Sequence, residues 1–93
     1  MSEPLDQASR DALAEAGWDV TDTKAEKTFT FGNFIEAFGW MTSVAIVAET
    51  LNHHPEWSNV YKTVNVTLTT HDADGLSALD AKLGAKLDAL AGE

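Results

Sequence analysis

The segment of residues 33–51 constrains the fold more than any other part of the chain. Asn33 followed by Glu36 is a variant of the capping box, so a helix is predicted to begin here. It ends by about Leu51, because Pro55 moves the residue before it out of the helical region. Most of the helix circumference is apolar, in a first stripe (Phe34, Phe38, Met41, Ala45, Ala48) and a second stripe (Trp40, Val44, Val47, Leu51). One sheet covers only one side of such a helix, so we expect the second stripe to contact another subunit.

Upstream of this helix, the pattern predicts one helix and two strands. Apolar residues recur at helical spacing over 4–16, and Gly17 stands where a glycine ends a helix. A short strand is predicted to begin directly after that glycine. Residues 28–31 alternate polar and aromatic side chains, as in a half-buried strand. The charged stretch between the two strands, 21–27, is predicted to be a loop.

Downstream of the helix, the pattern predicts a long strand and a last helix. Residues 60–69 alternate, with one face formed by Val60, Lys62, Val64, Val66 and Leu68. The opposite face is rich in threonine and expected to face water. At a sheet edge, a strand this long would offer unpaired backbone groups to a second copy. Ser77 is a candidate N-cap with Asp80 three residues on, and the core face carries Leu79, Leu83, Leu87 and Leu90.

The order of these elements predicts the fold class. Helix, strands, helix, strand and helix follow one another with no internal repeat and no linker. Residues 1–93 are therefore expected to form a single α+β domain. Its antiparallel sheet would have about four strands, with three helices packed on one face.

Charge and composition limit the partners. Six Lys and Arg against fifteen Asp and Glu give a net charge of −9, which repels phosphate backbones, so no direct nucleic-acid binding is expected. The chain has no cysteine, so disulfides, thiolate zinc sites and cysteine nucleophiles are excluded. The longest unbroken apolar run, 44–48, is far shorter than the roughly 20 residues of a membrane span. The acidic N-terminus does not resemble a secretory signal. We expect a cytoplasmic protein without a membrane contact.

The three histidines lie close together in the sequence. His53 and His54 stand at the end of the long helix, and His71 stands at the end of the long strand. In a domain this small, those two ends can meet in one cleft. Histidine exchanges protons near neutral pH, because its ordinary pKa is about 6.5. Two acids flank the cluster: Glu49 lies four residues before His53, on the same helix face, and Asp80 opens the last helix.

Each of these residues also has a structural interpretation. Three histidines can hold zinc, but neighbouring His53 and His54 point apart and no His-x-x-x-His spacing occurs, so the residues alone leave a zinc site as the less favoured alternative. Asp80 has a full structural role in a capping box, and Glu49 can be a solvated helix acid. Trp57 is either a packing aromatic or a surface on which a flat ring stacks.

Several motifs stand together at a specific spacing. Residues 49–57 read acid, three residues, His-His-Pro, one residue and tryptophan. Residues 70–72 read Thr-His-Asp, and residues 75–80 read Gly-Leu-Ser-x-x-Asp. Together they resemble the pterin-4a-carbinolamine dehydratase family, and the resemblance extends over nearly the whole chain. One departure is Asn52, where several members of that family have an aspartate.

The resemblance implies an activity and a set of site residues. The enzyme would be a 4a-hydroxytetrahydrobiopterin dehydratase, a hydro-lyase that converts a pterin carbinolamine to the quinonoid dihydropterin without metal or cofactor. His53 and His71 would be the main acid–base groups, in an order that the sequence leaves open, and His54 would bind and orient the pterin with a further proton role. Glu49 and Asp80 would support these histidines. Candidate substrate-binding residues are Asn52, Pro55 and Trp57.

The resemblance also implies partners. The substrate would be the carbinolamine that an aromatic amino-acid hydroxylase leaves behind, within tetrahydropterin recycling. The second apolar stripe and the long strand, and not the resemblance, predict a homo-oligomer, either a dimer or a tetramer. The alternative is a non-catalytic dimerisation or regulatory binding protein of the same fold. Three histidines in one cleft favour catalysis, because a pure interaction module does not need them.

Overall fold

The computed structural model describes residues 3–93, which form three helices and one four-stranded antiparallel sheet. The elements are α1 (Gln7–Glu15), β1 (Asp19–Val20), β2 (Ala25–Thr30), α2 (Phe34–Leu51), β3 (Glu56–Val60), β4 (Thr63–Leu68), a 3-10 turn (His71–Ala73) and α3 (Ala78–Leu90). The strand order is β1-β2-β4-β3. The buried residues of strands and helices form a single core. The predicted α+β class is confirmed.

Helix α2 begins and ends where the sequence predicted. The Asn33 side chain accepts a hydrogen bond from the Glu36 N–H at 2.9 Å. The Glu36 carboxylate accepts from the Gly32 N–H at 3.1 Å, one residue before the cap. Asn52 ends the helix in the left-handed conformation, with φ of 51°. That reversal takes His53 off the helical path, which matters for the site below.

The core face of α2 is the second apolar stripe. Trp40 and Val44 are buried, and the Trp40 ring lies 4.5 Å from the ring of Phe29, centre to centre. The Trp40 Nε1–H donates to the Leu87 carbonyl at 3.2 Å. The prediction that this stripe contacts another subunit is therefore wrong, because Trp40 fills the space between the sheet and α3. The exposed apolar side chains of α2 are instead Phe34, Ile35, Phe38 and Ile46.

By length and composition alone, α2 could cross a membrane. It has 18 residues and a mean hydropathy of 1.3, and 22% of it is buried in the single chain. The core helix of a water-soluble protein passes the same test. In this fold Ala37, Val44 and Ala48 pack into the core, so one side of α2 is buried against the rest of the domain.

The predicted long strand of residues 60–69 is a hairpin. Strand β3 pairs with β4 so that Val60 lies opposite Thr63, and Tyr61 turns the chain with a positive φ of 53°. Val60 is exposed, although the alternation placed it on the core face. A two-residue turn preserves the alternation of a strand, so the pattern did not reveal it. Strand β4, which holds most of this segment, is interior, whereas β3 is an edge strand.

The predicted loop of residues 21–27 is shorter than expected. Strand β2 begins at Ala25, which is fully buried and pairs with Leu68 of β4. The strand accommodates the two charged residues after Ala25 in different ways. The Glu26 side chain is 44% exposed and accepts a hydrogen bond from Thr67, and Lys27 forms an ion pair with Asp88.

Helix α1 is also shorter than the predicted 4–16. Asp6 caps it by accepting a hydrogen bond from the Ser9 N–H at 2.9 Å. Before the cap the chain is extended, because the Leu5 N–H donates to the Leu76 carbonyl at 2.8 Å. Gly17 follows the helix with φ of 101°, a conformation that glycine adopts without strain.

The predicted start of α3 is confirmed. Ser77 is its N-cap, and the Asp80 carboxylate accepts the Ser77 N–H at 2.9 Å in a complete capping box. Leu83 and Leu87 are buried, whereas Leu90 is 45% exposed near the helix end. The capping box fixes Asp80 at the edge of the domain where the histidines gather.

Candidate active site

All three histidines line one open cleft of about 530 Å³. The end of α2, the start of β3, the segment after β4 and the start of α3 meet there. The lining residues are Asn52, His53, His54, Glu56, Thr69, Thr70, His71, Asp72 and Leu79. The two chain ends that the sequence analysis expected to meet therefore do meet.

His53 is the most enclosed histidine and faces a buried acid. Its Nε2 lies 2.6 Å from Oδ1 of Asp80. The His53 side chain is 11% exposed and the Asp80 side chain 0%. Asp80 thus caps α3 and also contacts a histidine of the cleft. Its structural interpretation and its site interpretation are therefore compatible.

Two further donors hold the other oxygen of Asp80. The Thr70 hydroxyl donates to Oδ2 at 2.7 Å, and the Ser77 N–H donates to the same oxygen at 2.9 Å. The hydroxyls of Thr70 and Ser77 are 2.8 Å apart. Asp80 is therefore fixed from three sides, and the His53 ring is fixed through it.

Glu49 pairs with His54. The Glu49 Oε1 lies 2.8 Å from the His54 Nε2, and both side chains are mostly exposed. The expectation that Glu49 and His53 share a helix face fails, because α2 ends at Leu51 and the left-handed Asn52 redirects the chain. This pair lies at the rim of the cleft.

His71 has an acidic partner that the sequence analysis did not identify. Its Nε2 lies 3.4 Å from Oε2 of Glu56, at the start of β3. The side chains are 87% and 59% exposed. The signal was absent because β3 itself was not predicted, so nothing placed Glu56 beside the end of β4.

Of the three candidate substrate-binding residues, the structure places one in the lining of the cleft and two outside it. Asn52 lines the cleft. Pro55 and Trp57 are not among the lining residues, and the Trp57 ring packs 6.3 Å from that of Trp40. A contact between Trp57 and a substrate stays a prediction.

The described part of the chain, residues 3–93, contains no group of three or more His, Cys, Asp or Glu side chains arranged to hold a metal ion. In the cleft, each imidazole faces its own carboxylate: Asp80 for His53, Glu49 for His54 and Glu56 for His71. The fold and site define a small α+β protein with an open cleft in which three imidazoles each face a carboxylate.

Comparisons with known proteins agree with this class. A family model described as pterin 4 alpha carbinolamine dehydratase matches residues 3–90. A curated protein of Roseobacter denitrificans is 58% identical over 99% of this chain and 100% of its own length. A curated protein from a Jannaschia species is 61% identical over 98% of this chain and 99% of its own length. Both bear the provisional name pterin-4-alpha-carbinolamine dehydratase.

Two solved structures are also similar. The crystal structure of a transcriptional coactivator/pterin dehydratase from Brucella melitensis has a TM-score of 0.88 at 39% identity and covers 97% of this chain and 100% of that one. A pterin dehydratase-like protein described as a RuBisCO assembly factor has a TM-score of 0.69 at 25% identity, covering 82% and 88%. The chain belongs to the pterin-4a-carbinolamine dehydratase family, a family of hydro-lyases.

Proposed function

We propose that this chain dehydrates 4a-hydroxytetrahydropterins by histidine acid–base catalysis. The observation that carries the proposal is the cleft in which three histidines each face a carboxylate. In the reaction the C4a–O bond breaks, N5 loses its proton, and a C4a=N5 double bond forms as water leaves. Oxidation state does not change, so two proton transfers are sufficient and no cofactor enters the balance.

His53 and His71 are assigned to the two proton transfers. One gives a proton to the departing hydroxyl, and the other takes the proton from N5. A positioned acid or base of this kind contributes roughly 10²–10⁴-fold to the rate. His54, at the exposed rim, is assigned to binding and orienting the pterin.

The three acids are assigned to positioning. A carboxylate that accepts a hydrogen bond from one ring nitrogen determines which nitrogen remains for the substrate. Asp80 does this for His53 from a buried position, so that pair is rigid. Glu49 and Glu56 act on His54 and His71 from exposed positions, where water competes with each pair.

Turnover of a pterin carbinolamine by the purified chain tests the proposal. We expect dehydration well above the spontaneous rate, unchanged by a chelator. A rate equal to the spontaneous one would contradict the activity, and a rate lost with chelator and restored by zinc would contradict the metal-free mechanism. Substrates with the tetrahydrobiopterin side chain and with bacterial-type pterin side chains would identify the preferred pterin. A preference for the former would support a link to an aromatic amino-acid hydroxylase and to tetrahydropterin recycling.

We further propose that the chain forms a homo-oligomer through the exposed apolar face of α2, defined by Phe34, Ile35, Phe38 and Ile46. A contiguous apolar surface on a soluble domain is typical of a contact surface. A second copy is the simplest occupant, because two such faces match each other about a two-fold axis. Glu49 borders a shallow groove on this helix with Ile46, so the contact would lie beside the Glu49–His54 pair.

Sedimentation at micromolar concentration tests this assembly. The unmodified chain should sediment as a dimer or tetramer, and Phe38→Glu should shift it toward the 10.0 kDa monomer, because a buried charge would oppose the contact. Ser43→Glu, on the adjacent polar side of the same helix, is the matched control and should leave the assembly unchanged. A monomeric unmodified chain, or equal behaviour of the two variants, would contradict the proposal.

The alternative function is a regulatory binding protein without catalysis. The apolar face of α2 favours it, and the names of the two solved relatives include a transcriptional coactivator and an assembly factor. The turnover assay distinguishes the alternatives, because a binding module with an intact fold would show no rate above background.

A further inference from the structure

Thr70 is a buried hydroxyl beside the proton-transfer groups, and neither the sequence analysis nor the proposed mechanism gives it a role. It follows β4, is 5% exposed, and its Oγ1 lies close to three polar atoms. These are Oδ2 of Asp80 at 2.7 Å, Oγ of Ser77 at 2.8 Å and Nε2 of His53 at 3.5 Å. A hydroxyl has one proton to donate, so only one of the three contacts receives it.

The neighbouring groups determine the direction of these hydrogen bonds. At one end, the Leu79 N–H can only donate, and it donates to the Ser77 Oγ at 3.3 Å. At the other end, the Asp80 carboxylate can only accept, and it takes the Thr70 proton. The 2.8 Å contact between the two hydroxyls therefore requires Ser77 to donate to Thr70. The chain of hydrogen bonds runs one way, from Leu79 to Asp80.

The carboxylate of Asp80 places the His53 proton on Nε2. Both oxygens of Asp80 accept, Oδ2 from Thr70 and Ser77, and Oδ1 from His53. The His53 Nε2 must then be the donor at 2.6 Å. Within residues 3–93 the His53 Nδ1 forms no hydrogen bond, and no buried side-chain nitrogen or oxygen lacks a partner. Nδ1 is therefore open to the cleft.

We infer that Thr70 is a positioning residue whose hydroxyl fixes the Asp80 carboxylate against Nε2 of His53, and that Nδ1 of His53 is the nitrogen that exchanges a proton with the substrate. The kinetic part of this inference rests on the proposed function. The location of the proton on the ring does not, and it can be measured without substrate.

Three variants and one spectrum test the inference. Thr70→Val keeps the shape and removes the hydroxyl, Thr70→Ser restores the hydroxyl, and Thr67→Val is the matched control. Thr67 donates its hydroxyl to the Glu26 carboxylate at 3.2 Å, away from the cleft. For Thr70→Val we expect kcat to fall about tenfold with KM little changed, because a residue acting through Asp80 alters the chemical step. Thr70→Ser and Thr67→Val should stay within about twofold of the unmodified chain.

Nitrogen-15 spectra of the His53 ring give the readout that a merely structural role would not move. At a pH where the ring is neutral, the unmodified chain should carry the proton on Nε2. Thr70→Val should show a mixture of both tautomers, because Asp80 then loses one of the donors that fix its position and no longer stays against one ring nitrogen. A proton on Nδ1 in the unmodified chain would overturn the inference, even if Thr70→Val does not fold. Unchanged kcat and tautomer in folded Thr70→Val would overturn it as well. Absence of turnover in the unmodified chain would instead count against the proposed function, while the spectrum would still decide the tautomer.

Discussion

Helix α3 carries two carboxylates that are similarly buried and have different partners. Asp80, in the first turn, is 0% exposed and accepts hydrogen bonds from His53, Thr70 and the Ser77 backbone. Asp88, in the last turn, is 9% exposed and accepts from the Trp18 Nε1–H at 3.0 Å and from the Lys27 ammonium at 2.8 Å. Both are fully partnered, so burial and pairing alone do not distinguish them.

The partners distinguish the two acids. Lys27 connects Asp88 to the Ala16 carbonyl at 2.7 Å and to Glu93 at 2.6 Å, so it joins α1, β2 and the end of the chain. Burial by itself would lower the pKa of Lys27, but the hydrogen bonds and charges of Asp88 and Glu93 outweigh burial and raise that pKa. Lys27 therefore stays charged at neutral pH. Asp80 faces the imidazole of His53, which lines the cleft and belongs to a residue type that exchanges protons near neutral pH. On that ground we propose Asp80, and not Asp88, as the acid of the candidate site.

The largest expected effect is on stability. Asp88→Asn should lower the free energy of unfolding by about 3 kcal/mol, because it leaves the ammonium of Lys27 short of its buried partner. The kcat of the folded protein should not change, since Asp88 does not line the cleft. Denaturant unfolding and steady-state kinetics on one preparation measure both. A normal stability with a reduced kcat would reverse the roles given to the two acids.

Asp80→Asn should show the complementary result. An amide can place its NH₂ against the His53 Nε2, which forces the ring into the other tautomer, so kcat should fall about 100-fold or more. The amide still satisfies the capping box, so we expect a smaller loss of stability than for Asp88→Asn. Near-normal kcat for this variant would show that the His53–Asp80 pair is structural.

The pH dependence of the unfolding free energy tests the structural role of Lys27. Because the pKa of Lys27 is raised in the folded state, its contribution is complete below the unfolded value of about 10.4 and is lost as pH rises through the folded pKa. The difference in unfolding free energy between the unmodified chain and Lys27→Met should be constant from about pH 6 to 9. It should shrink as the pH rises above the unfolded pKa of Lys27. Lys24→Met, whose half-exposed pair with Glu26 spans 3.8 Å, is the control and should show no such change. A difference that grows with alkaline pH would contradict the sign.

These roles separate what the sequence could reveal from what it could not. Local signals were reliable: the caps at Asn33 and Ser77 and the break at Pro55 act within a few residues of chain, and the structure confirms each. The motif around His53 and His54 located the cleft for the same reason. The pairing of Asp88 with Lys27 joins residues far apart in sequence, and no local pattern indicates it.

The errors arose where tertiary packing chose between equivalent local patterns. Two apolar stripes on α2 were equally suited to the core, and the bulk of Trp40 and its hydrogen bond to Leu87 decided between them. The turn at Tyr61 left the alternation intact, so β3 and its acid, Glu56, were missed. Helical spacing predicted that Glu49 would pair with His53. In the structure the left-handed conformation of Asn52 redirects the chain, and Glu49 pairs with His54 instead.

The most direct test of the proposed histidine roles is kcat/KM for a pterin carbinolamine in His53→Ala and His71→Ala, beside the unmodified chain and His54→Ala. We predict a loss of about 100-fold or more for each of the first two variants, the size expected for one acid–base group, and mainly a raised KM for His54→Ala. Unfolding curves on the same samples would confirm that each variant is folded. Near-normal turnover in His53→Ala and His71→Ala, with a large loss of kcat in His54→Ala, would contradict the proposed roles.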